Sequence, residues 1–277
     1  MKTTITILSD NCVERTGLIG EHGFSALIEK GGKKFLFDTS AGTSLPHNTK
    51  QLEKDLRGLD KIIISHGHYD HTGGLKWAVQ HSGEKTEVVA HPKIFAKHMV
   101  RNPGAAPKYW GCPFTRKELE ESGAEFNMID RTSEISPGIR FITGIDLVPE
   151  QVPVDARLLI PQGTRYVLDP VEDDASLLID CEGSPVLVLG CAHAGILNIL
   201  DYVEHQMGIE KLHAVIGGTH LKFSDSIDLS RVIERLESLY VELIGVSHCT
   251  GLLAAAGLAA HFEDRFMSAA AGTVFEF

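Results

Sequence analysis

The sequence predicts an α/β protein in which two β-sheets lie between layers of helix, one domain over residues 1–277. Three observations predict it. Short runs rich in β-branched residues, closed by Gly, Asp, Ser or His, recur along the chain. Helical patterns separate many of them. The order of elements also shifts: the first forty residues read as antiparallel hairpins, whereas strand–loop–helix–strand units appear after residue 60 and again after 185.

Taken in order, "TTITILS" opens the chain as a strand, and "FSALIEK" and "KKFLFDT" follow as a hairpin around a "KGGK" turn. "NTKQLEKDLRGL" (48–59) reads as a helix, "KIIIS" as a strand, "GGLKWAVQHSG" as a helix and "TEVVAH" as a strand. Beyond residue 138 come the strands "GIRFITG", "ASLLIDC" and "SPVLVLGC". The helices "AGILNILDYVEHQMG", "SIDLSRVIERLESLY" and "GLLAAAGLAAHFED" then alternate with the strands "HAVIGG" and "VELIGVS". Residues 91–165 differ, holding eight of the eleven prolines in pieces such as "RNPGAAPKYWGCPF". This Pro-rich insertion reads either as surface elaboration or as a cap over a site, because long irregular segments often serve as lids or binding loops. Tyr109, Trp110 and Phe114 within it would suit contact with an organic substrate.

At 277 residues the chain can bury a large core, and 43% hydrophobic with 23% charged residues is ordinary for a globular protein. An excess of 37 acidic over 26 basic residues, with no basic run, argues against nucleic acid and anionic membrane as partners. The N-terminus lacks the apolar stretch of a signal peptide, and no run is long enough to span a bilayer. Five scattered cysteines without a C-x-x-C pair fit reduced thiols and a cytoplasmic location. Neither a phosphate-binding P-loop nor a G-x-S-x-G elbow occurs.

The stretch "IIISHGHYDHTGG" (62–74) sets His66, His68, Asp70 and His71 within six positions, directly after a strand. Neutral imidazoles and carboxylates are good ligands for zinc and similar ions. His66 and His68, two apart in an extended loop, can converge on one ion. Asp70 and His71 are placed to serve a second. Gly67 lets the backbone turn tightly between them. The alternative is a coincidental polar loop, but four ligand-type residues following a buried-strand pattern speak against it. "SPVLVLGCAHAGI" and "VELIGVSHCTGLL" repeat the strand–His–Gly–helix junction with His193 and His248.

H-x-H-x-D-H after a strand, later strand-end histidines and the upstream "FDT" resemble the metallo-β-lactamase superfamily over nearly the whole chain. The resemblance implies an αββα sandwich of two mixed sheets with a dinuclear metal site at the edge where they meet. It implies that His66, His68 and His193 hold one divalent ion and Asp70, His71 and His248 the other, zinc by default, with iron or manganese fitting the same donors. Asp38 would orient ligands rather than bind metal. Many relatives carry an acidic bridging residue where this chain reads "AVIGGTHLKFSD", which offers Thr219 and His220 and no carboxylate before Asp225. His220 then either ligates or touches substrate, or the second metal site is weaker. "SDN" (9–11), "EHGFS" (21–25), "GCAHAG" (190–195) and "GGTHL" (217–221) narrow the resemblance. They point to a branch of metal-dependent hydrolases that also includes 7,8-dihydropterin-6-methyl-4-(β-D-ribofuranosyl)aminobenzene 5′-phosphate synthase-like proteins.

The expected activity is hydrolysis of an ester, lactone or phosphodiester by metal-activated water, with Asp70 as proton acceptor as well as ligand. The alternative is a metal-assisted transferase of the synthase type. The expected partner is a small-molecule substrate, with phosphorylated compounds among the candidates. Asn11 and His22 sit in early loops that could face substrate, and Asp173 and Asp174 could hydrogen-bond a polar ligand. Cys191 and Cys249 flank proposed ligands; a thiolate would be a strong zinc ligand, but neighbours in sequence tend to point apart, so both read as buried structural thiols. Tyr69 either lines the pocket or packs.

Overall fold

The computed structural model describes residues 2–223 and 229–277. One seven-stranded sheet runs in the order Val274–Glu276, Thr3–Ser9, Ser25–Lys30, Lys33–Phe37, Lys61–Ile63, Thr86–Ala90, Ala124–Met128. Its first four strands are antiparallel neighbours, and its last four are parallel. The other sheet runs Phe266–Ser268, Leu243–Ser247, Ala214–Gly218, Ser184–Leu189, Ala175–Cys181, Ile139–Thr143, Ser133–Ser136. Here the first four strands are parallel and the rest antiparallel.

Strand periodicity decides the layering. In Ser184–Leu189, Val186 and Val188 point between the sheets, packing with Phe37, Ile63, Phe141 and Ile216. Leu187 and Leu189 point the other way, against helices Ile196–His205, Leu229–Ser238 and Leu252–Phe262. The first sheet behaves alike: Phe35, Phe37 and Ile63 face inward, while Leu36, Ile62 and Ile64 meet helices Ser44–Gln51 and Leu75–Ser82. Strands buried on both faces explain the near-continuous apolar runs "KIIIS" and "SPVLVLG". The result is the αββα sandwich.

Two elements differ from the sequence reading. The helix expected over 48–59 occupies Ser44–Gln51 instead. Glu21 fixes its start by accepting the amide protons of Gly42, Thr43 and Ser44, which a helix N-terminus would otherwise leave unsatisfied. Past Gln51 the chain turns at Glu53 (φ 54°) and runs irregularly, still burying Leu56 and Leu59. Residues 91–165, expected as one insertion, are divided. Ala124–Met128, Ser133–Ser136 and Ile139–Thr143 are strands of the two main sheets. Met99–Val100, Lys108–Tyr109 and Leu158–Gln162 instead form a four-stranded sheet with Arg165–Leu168. Proline content could not separate the two, because its prolines lie in loops, at a 3₁₀ turn and on a strand of the small sheet, where the missing amide proton is tolerated.

Candidate metal centre

Five strand ends build the site. Asp38 follows Lys33–Phe37, and Lys61–Ile63 leads through Ser65 into His66 and His68. The short helix Tyr69–Thr72 carries Asp70 and His71. His193, His220 and His248 follow Ser184–Leu189, Ala214–Gly218 and Leu243–Ser247. These are carboxyl ends of strands in the parallel parts of both sheets, where α/β folds gather their functional loops. Four non-glycine residues here take left-handed backbone: Asp38 (φ 58°), Ala192 (57°), His220 (54°) and His248 (53°). Each such conformation costs on the order of 1–3 kcal/mol, and strain of this kind concentrates at functional sites.

The donors converge in two sets. Ligand atoms of His66, His68 and His193 lie within 4.8 Å of one another. In the second set His71 Nε2 is 3.2 Å from His248 Nε2, and Asp70 Oδ2 lies 3.5 Å from His248 Nε2 and 3.9 Å from His71 Nε2. Metal–nitrogen bonds of about 2.0–2.1 Å in tetrahedral array space neighbouring ligands about 3.3 Å apart, so these separations fit ligands of a common ion. His66, His68, Asp70, His71, His193, His220 and His248 are all between 0% and 7% exposed. His68 Nε2, Asp70 Oδ1 and His193 Nε2 are buried without a hydrogen-bond partner among the described residues. Buried polar atoms are rarely left so, and a bound ion would satisfy them.

Neighbouring groups set the histidine tautomers. Asp38 Oδ2 accepts from His71 Nδ1 at 2.6 Å and from Ser65 Oγ at 2.7 Å. Because the Ser65 proton goes to Asp38, its oxygen accepts from His66 Nδ1, 2.9 Å away. Asn11 Oδ1 accepts from the Gly23 amide and from His248 Nδ1 at 3.0 Å. In His66 and His248 the Nε2 lone pair is thereby left facing the centre, the arrangement that metal-binding histidines need, while His71 would give up its Nε2 proton when an ion binds. Burial, reinforced by the other imidazoles, pushes His66, His68, His193 and His248 well below the ordinary histidine value. They are neutral, as ligands must be. At His71 burial opposes charge too, but Asp38 and then Asp70 outweigh it and lift the value to about 9.

The remaining expected residues fall as follows. His22 Nε2 is 3.1 Å from Asp70 Oδ2 with its side chain 46% exposed, so it joins the centre to solvent. Donor atoms of His220 lie within 4.8 Å of those of His193 and Cys191. Asp225 lies outside the described residues. Asp173 accepts from the Gly67 amide at 2.6 Å, and Asp174 from the Ala194 amide at 3.0 Å. Both hold ligand loops instead of facing substrate. Burial raises Asp174 to about 7. Gly67 is needed for space rather than for a tight turn, since a Cβ there would collide with the Ile94 carbonyl. Tyr69 packs edge-on against Trp110 at 4.4 Å, and Trp110 lines a cleft of about 290 Å³ over the centre. Tyr109 and Phe114 do not line it; Phe114 packs on the outer core of the first sheet.

Sequence reasoning missed His98, whose Nδ1 donates to Asp169 at 2.6 Å and whose ring meets His68 edge-on at 4.8 Å. Burial opposes its charge, but Asp169 and Asp173 raise it to about 10. No motif marks it, because its partner lies 71 positions away. Arg157 and Lys222, on the cleft wall, were missed likewise.

The chain is 30% identical over 281 aligned positions to 7,8-dihydropterin-6-methyl-4-(β-D-ribofuranosyl)-aminobenzene-5′-phosphate synthase of Methanocaldococcus jannaschii, covering 98% of this chain and 95% of that one. An uncharacterized protein of the same organism is 30% identical, covering 90% of this chain and 91% of its own. Tm1679, a metal-dependent hydrolase of the β-lactamase superfamily, superimposes with a TM-score of 0.84 at 27% identity over 99% of each chain. Zn²⁺-bound PqqB from Methylobacterium extorquens shares the fold, with a TM-score of 0.57 at 13% identity over 98% of this chain and 99% of that one. Residues 18–248 match the metallo-β-lactamase superfamily domain, and the chain belongs to that superfamily.

Proposed function

We propose that the protein is a metal-dependent hydrolase whose dinuclear centre activates water against an ester, lactone or phosphodiester. The observation that carries this reading is the convergence of His66, His68 and His193 beside Asp70, His71 and His248, with buried donor atoms that find no partner among the described residues. Two divalent ions in these sets, zinc by default with iron or manganese fitting the same donors, would bring a bound water's pKa near neutrality and polarise a carbonyl or phosphoryl oxygen.

The chain's own residues supply the rest. Asp70 is both ligand and proton acceptor: Oδ1 has no hydrogen-bond partner among the described residues, and Oδ2 meets His22 Nε2 at 3.1 Å. His22, half-exposed, passes the proton on to solvent. Trp110 offers an apolar wall, and Arg157, paired with Asp155 at 2.6 Å, and Lys222 bring positive charge to the cleft. These features support a small-molecule substrate, with phosphorylated compounds among the candidates. No helix among the described residues is long and apolar enough to cross a membrane. The five cysteines are free thiols, which supports a cytoplasmic location.

Asp70→Asn tests the proton role: kcat on a simple phosphodiester is expected to fall about 10²–10⁴-fold with metal still bound. A full rate with metal retained would remove Asp70 as acceptor. A second reading, metal-assisted transfer joining a pterin to an aminobenzene-type acceptor, is favoured by the 30% identity to the synthase along 98% of the chain. Chelator-sensitive hydrolysis without any acceptor supports the first reading. Product formed only when the acceptor is present supports the second.

A further inference from the structure

We infer that Cys191 is a metal donor shared between the two ligand sets. This deepens the metal-centre reading above and rests on it. The Cys191 Sγ lies within 4.8 Å of ligand atoms of His66 and His71 together, of His193 and His220 together, and of His248. It therefore reaches both sets. Its distance to His71 Nε2 is 3.3 Å. A thiolate bound at about 2.3 Å and an imidazole at about 2.0–2.1 Å on one tetrahedral ion sit about 3.5 Å apart. Cys191 is 3% exposed, yet it borders the cleft.

A second observation points the same way. His193 Nε2, in a residue 5% exposed and in one donor group with Cys191, has no hydrogen-bond partner among the described residues. A ligand between them would satisfy it. Cys249 is engaged differently: its Sγ accepts from the His220 amide at 3.3 Å and donates to the Cys191 carbonyl at 3.4 Å. Cys249 also lies within 4.8 Å of Cys191 and His248, but Cys191 reaches His66, His71, His193 and His220 as well.

In the metal-free chain the Cys191 S–H lies 3.3 Å from His71 Nε2. Coordination breaks that S–H bond and forms a sulfur–metal bond, and the proton leaves to the solvent buffer; nothing is oxidised or reduced. A soft sulfur donor biases the centre toward zinc, cobalt or iron(II) and away from manganese or magnesium.

Cobalt(II) is the probe, because a thiolate on cobalt gives an intense near-ultraviolet charge-transfer band that nitrogen and oxygen ligands do not. The full chain loaded with cobalt is expected to show the band, Cys249→Ser to keep it and Cys191→Ser to lose it. In Cys191→Ser the weaker-held cobalt is expected to bind at least about tenfold less tightly, no smaller than the loss of an outer hydrogen-bond partner produces. If Cys191→Ser does not fold, a band retained in Cys249→Ser still assigns the sulfur, since Cys12, Cys112 and Cys181 do not line the cleft. Bound cobalt without the band, or a band that survives in Cys191→Ser, overturns the inference and leaves the metal centre standing. Failure to bind cobalt at all overturns both.

Discussion

Asp38 shows how much of this centre depends on a residue set behind the converging donors. Its carboxylate is fully buried and holds His71 directly and His66 through Ser65. Asp38→Asn keeps the shape but places a donor where an acceptor is needed, so metal affinity is expected to fall about 10–100-fold. Competition against a chelating dye measures it, and unchanged affinity would mean that the tautomers are set elsewhere. Asp38 was legible because "FDT" closes a strand, and the ligand histidines because a strand-end cluster leaves few other uses for them. His98 and Asp169 were not. Each is an isolated polar residue in the sequence, and only the folded chain brings them to 2.6 Å.

At the scale of elements, the helix Ser44–Gln51 starts where Glu21 tells it to. Glu21 accepts from the Ser44 and Ser40 hydroxyls and from the amides of Gly42, Thr43 and Ser44. Periodicity placed this helix too late because the cap comes from a residue 23 positions upstream, and local pattern carries no record of it. Glu21→Gln is expected to cost about 1–3 kcal/mol in urea denaturation, the range for hydrogen bonds to a charged group. Burial opposes the Glu21 charge, but the hydrogen bonds from Ser44, Ser40 and Thr43 win and hold its pKa below the ordinary 4.5. A depressed carboxylate stabilises above its unfolded value and loses that contribution as pH falls through the folded one. The gap between wild type and Glu21→Gln is therefore expected to be full at neutral pH and to narrow in acid; a gap that is constant with pH would contradict this. The helix Arg116–Glu121 was missed although its signal was present: Thr115 and Glu118 form a capping box.

For the whole molecule, the two-sheet architecture was readable because central strands such as Lys61–Ile63, Ser184–Leu189 and Ala214–Gly218 are largely buried on both faces and end in a turn signal. The division of residues 91–165 was not, since Ala124–Met128 is partly exposed and lacks the β-branched run that marks the other strands. The same architecture couples metal to stability, because the donors come from both sheets and are brought together only by folding. At free metal about 100-fold above its dissociation constant, binding to the folded state alone adds about 2.7 kcal/mol. For a chain of this size that corresponds to a rise of about 5–10 °C in Tm, reversed by chelator, in a thermal melt. An unchanged Tm would mean that the donors do not act as a site.

The most direct measurement is the metal content of protein purified without chelator or histidine tag, by elemental analysis. The account predicts about two first-row ions per chain. None, even after incubation with zinc, iron or manganese, would contradict the assignment of His66, His68, Asp70, His71, His193 and His248 as a dinuclear centre.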